Sequence, residues 1–180
     1  MGRKVRIYSR VKEANEVIEK LCEKHADAFW CIKPDSIAVM GIDNVERSEK
    51  AIAKVPVWSK MRNVKGVEQA IFKENNIRER FIIEVFWAEW NEWRDSIKAA
   101  VLARHLFEIT PDCEVKNSPD CVGFNILYKA LGVNWERDNG QNIPNLLTSD
   151  IEFDLDLRPG LEELKAMEEE EMPDDSVEVI

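Results

Sequence analysis

The densest group of chemically capable side chains lies in VLARHLFEITPDC, where Arg104, His105, Glu108, Asp112 and Cys113 fall within ten residues. On a helix, Arg104 and Glu108 stand about 40° apart, inside the apolar stripe of Trp93, Ile97, Ala100, Val101 and Phe107. A charged pair on an apolar face is costly unless its members meet, so the spacing predicts an Arg104–Glu108 ion pair. A second chemistry is metal binding. His105, Glu108, Asp112, Cys113 and Asp120, with His25 as a further donor, offer nitrogen, oxygen and sulfur ligands, but their spacing matches no established ligand pattern. His105 falls roughly 80° from the stripe centre, toward its polar edge, and reads as an ordinary helix residue. The chain has two histidines and none of GxGxxG, GxxxxGK[ST] or GxSxG, which leaves few players for nucleotide or nucleophilic chemistry.

These residues need elements to hold them. From Val11 to Lys24, apolar residues recur every three or four positions, which predicts an amphipathic helix. Residues 36–43, SIAVMGID, and 81–87, FIIEVFW, read as strands, the second as the centre of the sheet. A further strand is expected around VPVW at 55–58. From Trp93 to Ile109 the chain lacks Gly and Pro and its second half is nearly all apolar, so a buried helix should end before Pro111. In SPDCVGFNILYKALG, Ser118 as cap, Pro119 in the first turn and Gly132 past the end predict a second helix, with Phe124, Leu127, Tyr128 and Leu131 on one face. Trp135, Ile143, Leu146 and Leu147 should anchor the loop that follows.

With 180 residues and 44% apolar content, the chain suffices for one core. The net charge of −10 is unevenly spread. Residues 150–180 hold 13 of the 35 acidic and 2 of the 25 basic side chains, which leaves 22 acidic against 23 basic residues in a nearly neutral body. The division expected is a domain over 1–150 and an acidic, largely disordered tail over 151–180. A folded mimic of DNA is disfavoured, because its carboxylates would cover the body. Arg3, Lys4, Arg6 and Arg10 form a short basic cluster, insufficient for an expectation of nucleic-acid binding. No apolar run spans a bilayer, and Cys22, Cys31, Cys113 and Cys121 contain no CxxC pair, so reduced thiols, no membrane and a cytoplasmic setting are expected.

Strand FIIEVFW, a linker with Trp90 and Trp93, and a helix ending VLARHLFEI resemble the zincin-like metallopeptidase family of phages and mobile elements. Its members place an HExxH motif in a helix of the form LLxHELLHI. Val101, Leu102, Leu106, Phe107 and Ile109 take the family's apolar positions, and the likeness runs over roughly residues 10–147. The resemblance implies an α+β fold in which a small sheet packs against an N-terminal helix, a central buried helix and a following helix. In the family, two His one turn apart hold zinc and the intervening Glu polarises water. Here Arg104, His105 and Glu108 stand at those three positions, and Pro119 stands where a further His ligand is expected.

The resemblance with its degenerate motif implies a pseudoenzyme, in which no catalytic residue, metal or other cofactor is expected. The function expected is a non-catalytic protein-binding module of a phage or mobile element, with a host or phage protein as partner. Two alternatives are an active metal-dependent peptidase with shifted zinc ligands, and an acidic inhibitor of a host nucleic-acid-binding or defence protein. An exposed patch containing Trp30, Trp58 or Trp90 would mark a binding surface.

Overall fold

The computed structural model describes residues 5–110, 124–137 and 142–158. The order of elements is β1 (Ile7–Arg10), α1 (Lys12–Lys24), β2 (Ile37–Asp43), α2 (Glu49–Lys54), β3 (Ser59–Asn63), α3 (Val67–Glu74), β4 (Phe81–Phe86), α4 (Trp87–Glu92), α5 (Asp95–Phe107) and α6 (Asn125–Leu131). Single 3-10 turns occupy Pro34–Ser36 and Leu155–Leu157. The fold is α+β around one mixed sheet of order β1-β2-β4-β3, in which β2 and β4 run parallel and the other neighbours antiparallel.

β4 is central, as its unbroken apolar run predicts. All six of its residues are buried because both faces of the sheet are covered. Strand periodicity sends Phe81, Ile83 and Val85 into the main core with Ile37 and Val39 of β2 and Met61 of β3, where α1 and α5 pack. Ile82 points the other way, into a smaller cluster with Ala38 and Val64, against which Met40 and Phe72 of α3 pack. Glu84 shares that second face and is answered by Arg62 at 3.1 Å, which also bonds Glu68 at 2.6 Å. A carboxylate in a central strand is thereby paired rather than stranded.

α1 begins one residue after the expected start and buries Ala14, Ile18 and Leu21 along one stripe. α5 buries nine of its thirteen residues, too many for a one-faced surface helix. The helix expected over 93–109 starts later, at Asp95: Trp93 and Arg94 are extended, with ψ of 139° and 156°, and separate the preceding α4 from α5. α6 ends at Gly132, whose φ of 92° suits a residue without a side chain. The expected cap at Ser118 and Pro119 lies outside the described residues. Trp135, Ile143 and Leu146 are buried, and Leu147 packs against the core at its edge.

Several placements differ from expectation. The strand near VPVW lies further on, at Ser59–Asn63, because only Met61 of that segment needs the core and its polar neighbours hide the alternation. β1, α2, α3 and α4 were not foreseen; the first three have short or mostly exposed sequences, and α4 occupies Trp87, read as the end of the strand, and the residues read as a linker. Residues 151–158 do not behave as a solvated tail. Phe153 is buried with its ring 4.7 Å from His25, 5.8 Å from Phe29 and 5.2 Å from Phe107, and Arg158 is buried with Nε donating to the Ala28 carbonyl at 2.9 Å. The packed body therefore runs past residue 150. Among the described residues no helix is long and apolar enough to cross a membrane.

Candidate functional site

The chemically capable group at the end of α5 is assembled from three segments. Strand periodicity places Ser59 on the same face of β3 as the buried Met61, toward α5. His105 and Arg104 come from the last turns of α5, and Glu136 comes from the loop after α6, fixed by its buried neighbour Trp135. His105 Nε2 lies 2.8 Å from Ser59 Oγ, and Nδ1 lies 3.0 Å from Glu108 Oε1. Arg104 donates one guanidinium nitrogen to Glu136 Oε1 at 2.7 Å and another to Ser59 Oγ.

The expected Arg104–Glu108 pair is therefore replaced by two others, Arg104–Glu136 and His105–Glu108. The cause is the end of the helix. Glu108 is the C-cap, and its N–H bonds the His105 carbonyl three residues back at 3.1 Å. That tighter turn brings residues three apart into line, so Glu108 meets His105 instead of the residue one α-helical turn earlier. His105 also departs from expectation, being 2% exposed rather than at a polar edge, because α5 is packed around most of its circumference.

Burial pushes the His105 pKa below the ordinary histidine value; the Glu108 bond opposes this and the Arg104 charge adds to it. A neutral ring fits the partners. Nδ1–H donates to the Glu108 carboxylate, Nε2 accepts the Ser59 hydroxyl proton, and Ser59 Oγ accepts from Arg104. Arg104 Nε is buried without a hydrogen-bond partner. A cavity of about 420 Å³ opens beside the group, lined by Trp58, Ser59, Arg104, Tyr128 and Glu136 and edged by Lys54 and Arg137.

Of the possible metal ligands, the fold brings His105 and Glu108 together. His25 lies elsewhere, with Nε2 3.0 Å from the Leu146 carbonyl and its pKa lowered by burial. Asp112, Cys113, Pro119 and Asp120 are outside the described residues. Among the described residues, no three His, Cys, Asp or Glu side chains are grouped to hold a metal ion. Comparison with protein-family models, curated proteins and solved structures finds no match. Sequence reasoning missed Ser59 and Glu136, since Ser59 lay in an unassigned stretch and Glu136 in a loop. The neighbouring anchor Trp135 was the one available signal.

The three tryptophans flagged in the sequence differ in burial. Trp90 is fully buried and donates its indole N–H to Glu13 at 3.1 Å, whereas Trp30 is 57% exposed with the Arg158 guanidinium 5.9 Å from its ring. Trp58 is half-buried against Phe86, 4.7 Å between ring centres. Cys22 and Cys31 are free thiols, and burial pushes the Cys22 pKa up to about 12.

Proposed function

We propose that this chain is a metallopeptidase-like protein of a phage or mobile element that has lost the metal chemistry of its relatives and acts by binding a host or phage protein in the cytoplasm. One observation carries the reading. The side chains at the three motif positions, Arg104, His105 and Glu108, bond to Glu136, to Ser59 and to one another. Two imidazoles facing one zinc are replaced by a cation and a carboxylate that already have partners, an arrangement that satisfies buried charge without a metal. The apolar pattern of the helix is retained, with Val101, Leu102 and Leu106 in the core, as a protein kept for its shape requires. The exposed Trp30 beside Arg158 is the kind of amphipathic ring that anchors protein interfaces. The free thiols Cys22 and Cys31 are compatible with a reducing compartment.

Two assays on the intact chain test this. Affinity capture from cells carrying the element should retain a stoichiometric protein partner that a folded Trp30→Ala variant releases. Zinc-supplemented protein should leave unfolded casein intact. Zinc-dependent cleavage abolished by Glu108→Gln would establish the shifted-ligand peptidase instead.

A further inference from the structure

We infer that Ser59 is a nucleophile, activated by His105 and held for metal-independent acyl transfer from a small carboxylic ester bound in the adjacent cavity. This goes beyond the binding role and does not depend on it. The connectivity is that of a serine triad: Ser59 Oγ to His105 Nε2 at 2.8 Å, and His105 Nδ1 to Glu108 Oε1 at 3.0 Å. The elements that supply it are a strand start and a helix end, both anchored in the core by Met61 and Leu106.

Ser59 differs from a serine that merely fills a buried network. It is half-buried and lines the 420 Å³ cavity, while the base behind it is shut from water. Trp58 and Tyr128 give that cavity aromatic walls for an apolar acyl group, and Lys54 and Arg137 at its edge favour an anionic leaving portion. Arg104 donates to Ser59 Oγ, which holds the hydroxyl in place with its proton directed at His105 Nε2.

The step balances with water as the only co-reactant. Ser59 Oγ forms a bond to the ester carbonyl carbon as its proton passes to His105 Nε2. The tetrahedral adduct collapses, the carbon–oxygen bond to the leaving alcohol breaks, and His105 returns the proton to that alkoxide. Water, deprotonated by the same nitrogen, then attacks the acyl-serine and releases the carboxylic acid, and the proton returns to Ser59 Oγ. Ser59 and His105 are catalytic residues; Glu108 is a positioning residue that fixes the tautomer.

The test is labelling with a biotinylated fluorophosphonate, which phosphonylates an activated serine with loss of fluoride, in the presence of a chelator. Intact mass and peptide mapping are expected to show one adduct, on Ser59, in the native chain and none after denaturation. Ser59→Ala should abolish it, and His105→Gln should slow it by about 100-fold or more. Glu108→Gln should slow it by at least about tenfold and move the half-maximal pH of labelling downward. The carboxylate raises the His105 pKa against the opposing Arg104 charge, with Glu136 acting in the same sense as Glu108. No adduct on Ser59 of the native wild type after prolonged incubation in excess reagent would overturn the inference. So would labelling spread over several serines, or an undiminished rate in folded His105→Gln. A purely structural network gives those results.

Discussion

Exchange of partner at the helix end makes a measurable prediction. The Arg104–Glu136 pair has a 2.7 Å contact and side chains that retain 15% and 23% of their exposure, so it is neither a surface pair nor a dry one. For charge centres about 4 Å apart at an effective dielectric constant near 20, the attraction is about 4 kcal/mol before desolvation and side-chain ordering are subtracted. Exposed pairs retain about 0.2–1 kcal/mol, and breaking a buried one costs about 3–5. The intermediate burial here places the coupling at about 1–2 kcal/mol. Arg104→Met, Glu136→Gln and the double variant, unfolded in urea and followed by tryptophan fluorescence, yield that coupling as a cycle. A parallel cycle with Glu108→Gln distinguishes the pairing seen from the one suggested by spacing: it should give less than about half the value, because Glu108 reaches Arg104 only through His105 and Ser59. Coupling below about 0.5 kcal/mol with Glu136, or larger coupling with Glu108, would refute the reasoning.

Other consequences test the packing and protonation around this site. A Cβ on Gly41 would stand 2.3 Å from Trp87 Cε3, so Gly41→Ala should destabilise by about 1–3 kcal/mol, partly relieved by adding Trp87→Leu, as urea midpoints would report. Leu102 is fully buried in α5, and Leu102→Ala should cost about 2–5 kcal/mol in the same assay. His105 and His25 both have folded-state pKa values below the ordinary 6.5, so below about that pH the unfolded chain binds more protons. Stability contributed by their neutral forms is present above pH 6.5 and is lost as pH falls toward the folded-state values, by up to about 1.4 kcal/mol per pH unit for each ring. Urea midpoints from pH 7.5 down to 5.5 should fall accordingly, less steeply in His105→Gln. A chain ending at residue 150 should be less stable than one ending at residue 158 by about 3–5 kcal/mol, since it lacks the buried Phe153.

The elements with strong periodicity were the legible ones. α1 shows a helical stripe and β4 an unbroken apolar run, and each is found within a residue or so of where its pattern places it. β3 was hard to place because a strand with one buried apolar residue carries little alternation: Met61 shares its α5-facing side with the polar Ser59, while Arg62 serves the ion pairs of the other face. The site was half legible. Arg104, His105 and Glu108 stood out as polar groups in an apolar helix, but helical spacing alone cannot supply partners from other segments. Ser59 is 46 residues from His105 along the chain, and Glu136 is 32 from Arg104. The tightened final turn, which redirects Glu108 to His105, also depends on where the helix ends, and the sequence placed that end at Ile109 rather than Phe107. The acidic composition after residue 150 masked Phe153, one aromatic whose burial outweighs the charges around it.

At the positions where the zincin-like resemblance would place zinc ligands, Arg104, His105 and Glu108 bond to protein groups instead and, as proposed above, hold no metal. Elemental analysis of the intact chain, purified without chelator and without metal-affinity resin, tests this most directly. Far less than one mole of zinc, manganese or iron per mole of chain is expected. A ratio near one, falling on substitution of His105 or Glu108, would contradict it and make those two residues metal ligands.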